Sequence, residues 1–103
     1  MIKYKEIYLK GMNYTDTDFI ESEISGLRAA DLHHIVGRGR GGKDILENLM
    51  ALTREEHLKY GDKKQFMHFL FKKHYNFLIK KKVKFNVEFF IDMFDKYYDK
   101  SKI

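Results

Sequence analysis

Not one cysteine occurs in this chain of 103 residues, so no disulfide can form and no structural metal can be held by thiolates. A domain this small buries a smaller share of its surface than a large one does, and here packing alone must hold it. Nine Phe and seven Tyr supply the bulk for such a core. With no proline, 44% hydrophobic and 34% charged residues, the composition fits one small domain over 1–103, with no room for two.

The formal net charge is +5, and lysine and arginine recur along the chain instead of gathering in one tail. That balance favours an anionic partner, although a solvated lysine-rich surface gives the same number. The opening MIKYKEIYLKG is too polar for a signal peptide, and no apolar run reaches membrane-spanning length. A cytoplasmic protein with no membrane partner is expected.

Hydropathy along the chain predicts an α+β fold. Ile2, Tyr4, Ile7, Tyr8 and Leu9 read as a short helix ended by Gly11, followed by turn chemistry in NYTDTD. FIESEIS alternates as a strand, Gly26 turns the chain, and AADLHHIV is expected as its antiparallel partner. Gly37, Gly39, Gly41 and Gly42 then impose a loop that carries Arg38, Arg40 and Lys43. LMAL returns as a strand, and Thr53 with Glu56 forms a capping box that starts a helix at Arg54 and puts His57 on its first turn.

Two longer helices are expected to complete the chain. Asp62 and Gln65 read as a second capping box, before a helix whose apolar face includes Phe66, Met67, Leu70, Phe71 and Leu78. Asn86 caps a last helix in which Val87, Phe90, Ile91, Phe94 and Tyr98 follow helical spacing. His68 and His74, on the first of these, read as surface or partly buried packing residues.

Chemistry concentrates in one ordered set: His33 and His34, then Asn48, then His57 nine residues later. Carried on strand, loop, strand and helix start, imidazoles from the first strand and the helix can converge on a metal. In this set, with H-H-I, R-G-R-G-G, E-N-L-M-A-L and E-E-H in order, the chain resembles the HNH nuclease family over about residues 18–62. The resemblance implies a ββα-metal core over 18–62, with 63–103 as a helical extension.

It implies His33 and His57 as ligands of one divalent metal ion (Mg²⁺, Mn²⁺, Ni²⁺ or Zn²⁺), His34 as general base, and Asn48 as the residue that pins the loop and helps orient His34. Asp31 is a possible third ligand. Arg38, Arg40, Lys43 and Arg54 are candidate nucleic-acid contacts, the glycines beside the first three letting backbone approach a phosphate. The implied activity is hydrolysis of phosphodiester bonds in DNA, with RNA as the other candidate; the alternative is a non-catalytic nucleic-acid-binding module of the same fold. Compact domains of this kind are often carried by phages and mobile elements, which makes a bacterial or phage origin the expectation by analogy.

One departure from the family pattern stands out. Many such proteins carry four cysteines around a structural zinc, in C-x-x-C-G before the first strand pair and C-x-x-C-H at the helix. Here those stretches read S-E-I-S-G and T-R-E-E-H, with Ser22, Ser25, Thr53 and Glu56 at the four positions. No structural zinc is expected, and hydrogen bonds, the capping box and packing by Ile24, Leu27 and Leu52 must hold this corner. Strict pleating also turns His33 and His34 to opposite faces, so both reach one phosphate only if twist or a bulge near Gly37 intervenes.

Overall fold

The computed structural model describes residues 3–98. Helix α1 (Lys3–Gly11) leads into strand β1 (Asp31–His34), strand β2 (Leu49–Leu52) and helix α2 (Arg54–Tyr60); α3 (Met67–Lys81) and α4 (Val87–Lys96) follow. The two strands form one antiparallel sheet with Asp31 opposite Leu52 and His34 opposite Leu49. With α2 folded back on both strands, they make a ββα unit inside an α+β fold.

FIESEIS is not a strand. The Ser22 hydroxyl accepts from the backbone N–H groups of Ile24 and Ser25, at 3.1 and 3.2 Å, and closes a tight turn completed by Gly26 at φ 79°. A serine that offers the backbone such bonds competes with the ladder, and here it overrides the alternation. One bridge, Glu21 with Arg28, remains of the expected hairpin. β1 therefore pairs with β2, and the turn is fastened to β2 by the Glu23 N–H donating to the Ala51 carbonyl.

Other boundaries shift for physical reasons. Gly11 lies inside α1, where a Cβ would stand 2.7 Å from the Leu46 side chain, and Asn13 at φ 60° makes the left-handed turn that ends the helix. Asp62 caps nothing: it also sits at positive φ, and α3 begins after a 3₁₀ turn with no side-chain cap. Asn86 does cap α4, accepting from the Phe89 N–H.

All four residues of β2 are buried, together with Tyr8 of α1, Leu70, Phe71 and Leu78 of α3, and Phe90 of α4. α4 packs through Phe89, Phe90, Met93, Phe94 and Tyr97, leaving Val87, Ile91 and Tyr98 of its expected face exposed. Leu27, expected to pack, is exposed as well. His68 stays half-buried against Phe94 and Tyr98, but His74 is wholly buried. It bridges Glu23 at 2.6 Å and the Leu46 carbonyl at 2.7 Å, so α3 is bonded directly into the 18–62 segment. Among the described residues, no helix is long and apolar enough to cross a membrane.

Candidate functional site

β1 and α2 bring His33 and His57 together, their ring centroids 4.7 Å apart. The ladder puts His33 on the face covered by α2, and the capping box fixes where α2 begins: Thr53 accepts from the Glu56 N–H while the Glu56 carboxylate accepts from the Thr53 N–H. Only 3% of His33 is exposed, and its buried Nε2 has no hydrogen-bond partner. Burial first, then the neighbouring His57, pushes its pKa down to about 4, so the ring is neutral near pH 7.

The floor beneath these rings is bare backbone. A Cβ on Gly61 would lie 2.4 Å from the His57 carbonyl oxygen, 2.6 Å from His57 Cδ2 and 3.3 Å from His33 Cε1. Glycine is required there by close approach. His57 Nδ1 meets Asp31 Oδ2 at 2.9 Å, and Arg54 Nη2 donates to the other Asp31 oxygen at 2.9 Å. A carboxylate can only accept, so the proton sits on Nδ1 and the His57 Nε2 lone pair is left for a ligand.

Asp31, expected as a third ligand, thus has both oxygens engaged and stands behind His57. Arg54, expected at nucleic acid, is spoken for by the same carboxylate. Among the described residues no group of three or more His, Asp or Glu side chains is arranged to hold a metal ion. What converges is a pair of imidazole donors, one with an orphaned nitrogen and one oriented by a carboxylate. Two imidazoles are too few for a closed structural site, and they fit a divalent ion that would take its remaining ligands from outside the chain.

His34 faces the other way. The ladder runs on without a bulge, the Ile35 N–H still donating to the Asn48 carbonyl at 2.9 Å. His34 Nε2 meets Asp44 Oδ1 at 2.7 Å, and Arg38 grips the same carboxylate through Nε and Nη2 at 2.9–3.1 Å. Hydrogen bonds from His34 and Arg38 hold the Asp44 carboxyl below the usual carboxylate range. The Tyr4 ring packs edge-on to His34, with the Arg38 guanidinium 5.0 Å from its centroid.

Asp44 is the site residue that sequence reasoning missed; its only signal is a lone acid directly after the glycine-rich loop. Arg38, expected to meet phosphate, is instead its partner. Asn48 does pin the loop. Its Oδ1 accepts from the Val36 N–H at 2.8 Å, and its Nδ2 donates to the carbonyls of Val36 and Lys43 at 3.0 and 3.1 Å. Those are the segments next to His34 and Asp44. Arg40 and Lys43 of the same loop are both exposed.

The four positions where the resembling family carries cysteines also meet in space. Ser22 Oγ donates to Glu56 Oε1 at 2.5 Å, and the same oxygen accepts from the Thr53 N–H at 2.9 Å. Burial works against the Glu56 carboxylate, but hydrogen bonds from Ser22, Ser25 and Thr53 hold its pKa below the ordinary value. A carboxylate hub with hydroxyl and backbone donors closes this corner. Compared with known proteins, the chain matches no family model, no curated protein and no solved structure.

Proposed function

We propose that this chain is a metal-dependent endonuclease of the HNH type, hydrolysing phosphodiester bonds in DNA. The observation that carries the reading is the buried, neutral His33, its Nε2 without a partner, beside a His57 whose own Nδ1 is fixed by Asp31. An unsatisfied polar atom in a buried position is costly, and a bound ligand is the natural reason for one. His33 and His57 would hold one divalent ion, with nitrogen donors leaning toward Mn²⁺, Ni²⁺ or Zn²⁺ over Mg²⁺. When bound, it would stabilise negative charge on the phosphate and on the leaving 3′ oxygen.

His34 would then serve as general base, with the twist of β1 carrying its ring round to a phosphate held at the pair, since the ladder has no bulge to do so. Asp44 accepts from Nε2–H and so selects the tautomer in which Nδ1 is free to take a proton from water. Asn48 keeps the backbone beside His34 and beside Asp44 at fixed separation, and Asp31 sets the orientation of His57. Each of these positioning roles rests on a hydrogen bond of its own.

The second reading, a nucleic-acid-binding module without catalysis, draws on two observations: only two imidazoles converge, and His34 is already bonded to Asp44. Supercoiled plasmid incubated with Mg²⁺, Mn²⁺, Ni²⁺ or Zn²⁺, with and without chelator, separates the two. Metal-dependent nicking is expected, abolished in His34→Ala with metal affinity nearly kept, whereas His33→Ala and His57→Ala weaken both. Plasmid binding without nicking under every metal establishes the second reading instead.

A further inference from the structure

A concave surface lies where the glycine-rich loop meets α4. It is a recess of about 400 Å³ between that loop and α4, within the range of about 300–1,000 Å³ typical of ligand sites. Phe89, Met93 and Tyr97, spaced four residues apart, put one half-buried apolar stripe of α4 along it. Arg40 and Lys43 from the loop and Lys96 from α4 stand on its rim, all three exposed. No carboxylate lines it among the described residues, and none of the three cations forms a salt bridge there.

Three cations with no carboxylate partner among the described residues, set around an apolar floor, select a ligand that is both anionic and flat-faced. Phosphate alone has no use for the floor, and a duplex keeps its base faces stacked inside. A single strand offers both, because unpaired bases stack on aromatic and apolar side chains while basic groups follow the backbone. We propose that this recess binds single-stranded nucleic acid, seating an unpaired base on Phe89, Met93 and Tyr97 with its flanking phosphates on Arg40, Lys43 and Lys96. The inference rests on the nucleic-acid reading above and adds to it the strandedness of the ligand and a site that shares no side chain with the His33–His57 pair.

Fluorescence anisotropy with a labelled short oligothymidylate, an abasic strand of equal length and the matching duplex tests it. The wild-type chain is expected to prefer oligothymidylate over the abasic strand by about tenfold and to bind it more tightly than the duplex. Lys96→Glu should weaken oligothymidylate binding about tenfold and lower the slope of log affinity against log salt by about 0.7 or more. Lys72→Glu, an equal charge change at an exposed position of α3 outside the recess, should cost less than about threefold.

Equal binding of the abasic strand, tighter binding of the duplex, or a Lys96→Glu effect no larger than that of Lys72→Glu overturns the recess. In each case metal-dependent nicking leaves the nuclease reading standing. A chain that neither binds these strands nor nicks plasmid overturns both.

Discussion

Replacing Glu23 by leucine should cost this protein more than any other single loss of polar contact, because it strands a buried charge. The Leu46 carbonyl can only accept, so His74 Nε2 carries a proton; the Glu23 carboxylate takes the other nitrogen at 2.6 Å and also accepts from the Tyr8 hydroxyl at 2.6 Å. Burial pushes the His74 pKa down, but the charge and hydrogen bond of Glu23, with the Leu46 carbonyl, bring it out above the ordinary value. Both side chains are fully enclosed. Breaking such a pair from one side costs about 3–5 kcal/mol, a large part of the roughly 5–15 kcal/mol that holds a domain together.

Urea denaturation of Glu23→Leu, His74→Leu and the double variant reads this out. Since removing both charges leaves neither unpaired, the double variant should be more stable than either single one. A raised folded pKa also gives wild-type stability a direction in pH. The contribution is complete below about pH 6.5 and falls as pH rises through the folded value, by up to about 1.4 kcal/mol per unit. Single variants costing under about 1 kcal/mol, a double variant equal to the sum of the singles, or stability that does not fall above pH 6.5 refutes the reasoning.

Asp44→Ala should slow nicking about 10- to 100-fold with metal affinity retained, since it removes the acceptor that sets the His34 tautomer; calorimetric metal titration beside the plasmid assay distinguishes this from ligand loss. Gly42→Ala should destabilise by more than about 2 kcal/mol because its Cβ would fall 1.7 Å from the Val36 carbonyl oxygen, while Gly39→Ala, with nothing within 4 Å, should melt as the wild type does. Ser22→Ala should cost about 1.5–3 kcal/mol, the worth of a hydrogen bond to a charged group, read as a lower urea midpoint.

Much of the architecture was legible where local chemistry decides it. The Thr53–Glu56 capping box, the LMAL strand, the Asn86 cap and the loop imposed by four glycines follow from residues a few positions apart, and the structure has them. The convergence of His33 with His57 follows from strand and helix start in the same way. What escaped depends on partners distant in sequence. FIESEIS alternates like a strand, but its serine bonds lie off the hydropathy pattern, and His74 looked like a packing residue because its partner Glu23 lies 51 positions away. Asp44 was hidden likewise, since nothing in the sequence ties it to an imidazole ten residues earlier. On α4 the apolar arc is wider than one face, so spacing alone did not choose between Val87, Ile91 and Tyr98 and the side that packs.

The oxygen-lined corner of Ser22, Thr53 and Glu56 separates two equilibria that a thiolate corner would join. Where zinc closes a knuckle, metal binding is folding, and a chelator that strips the ion also melts the scaffold. Here the corner that sets the start of α2, and with it the place of His57, is closed by hydrogen bonds among groups that neither chelators nor oxidants attack. On the metal-site reading proposed above, the chain would fold first and take up or exchange an ion at the imidazole pair afterwards, with this corner indifferent to the supply of metal.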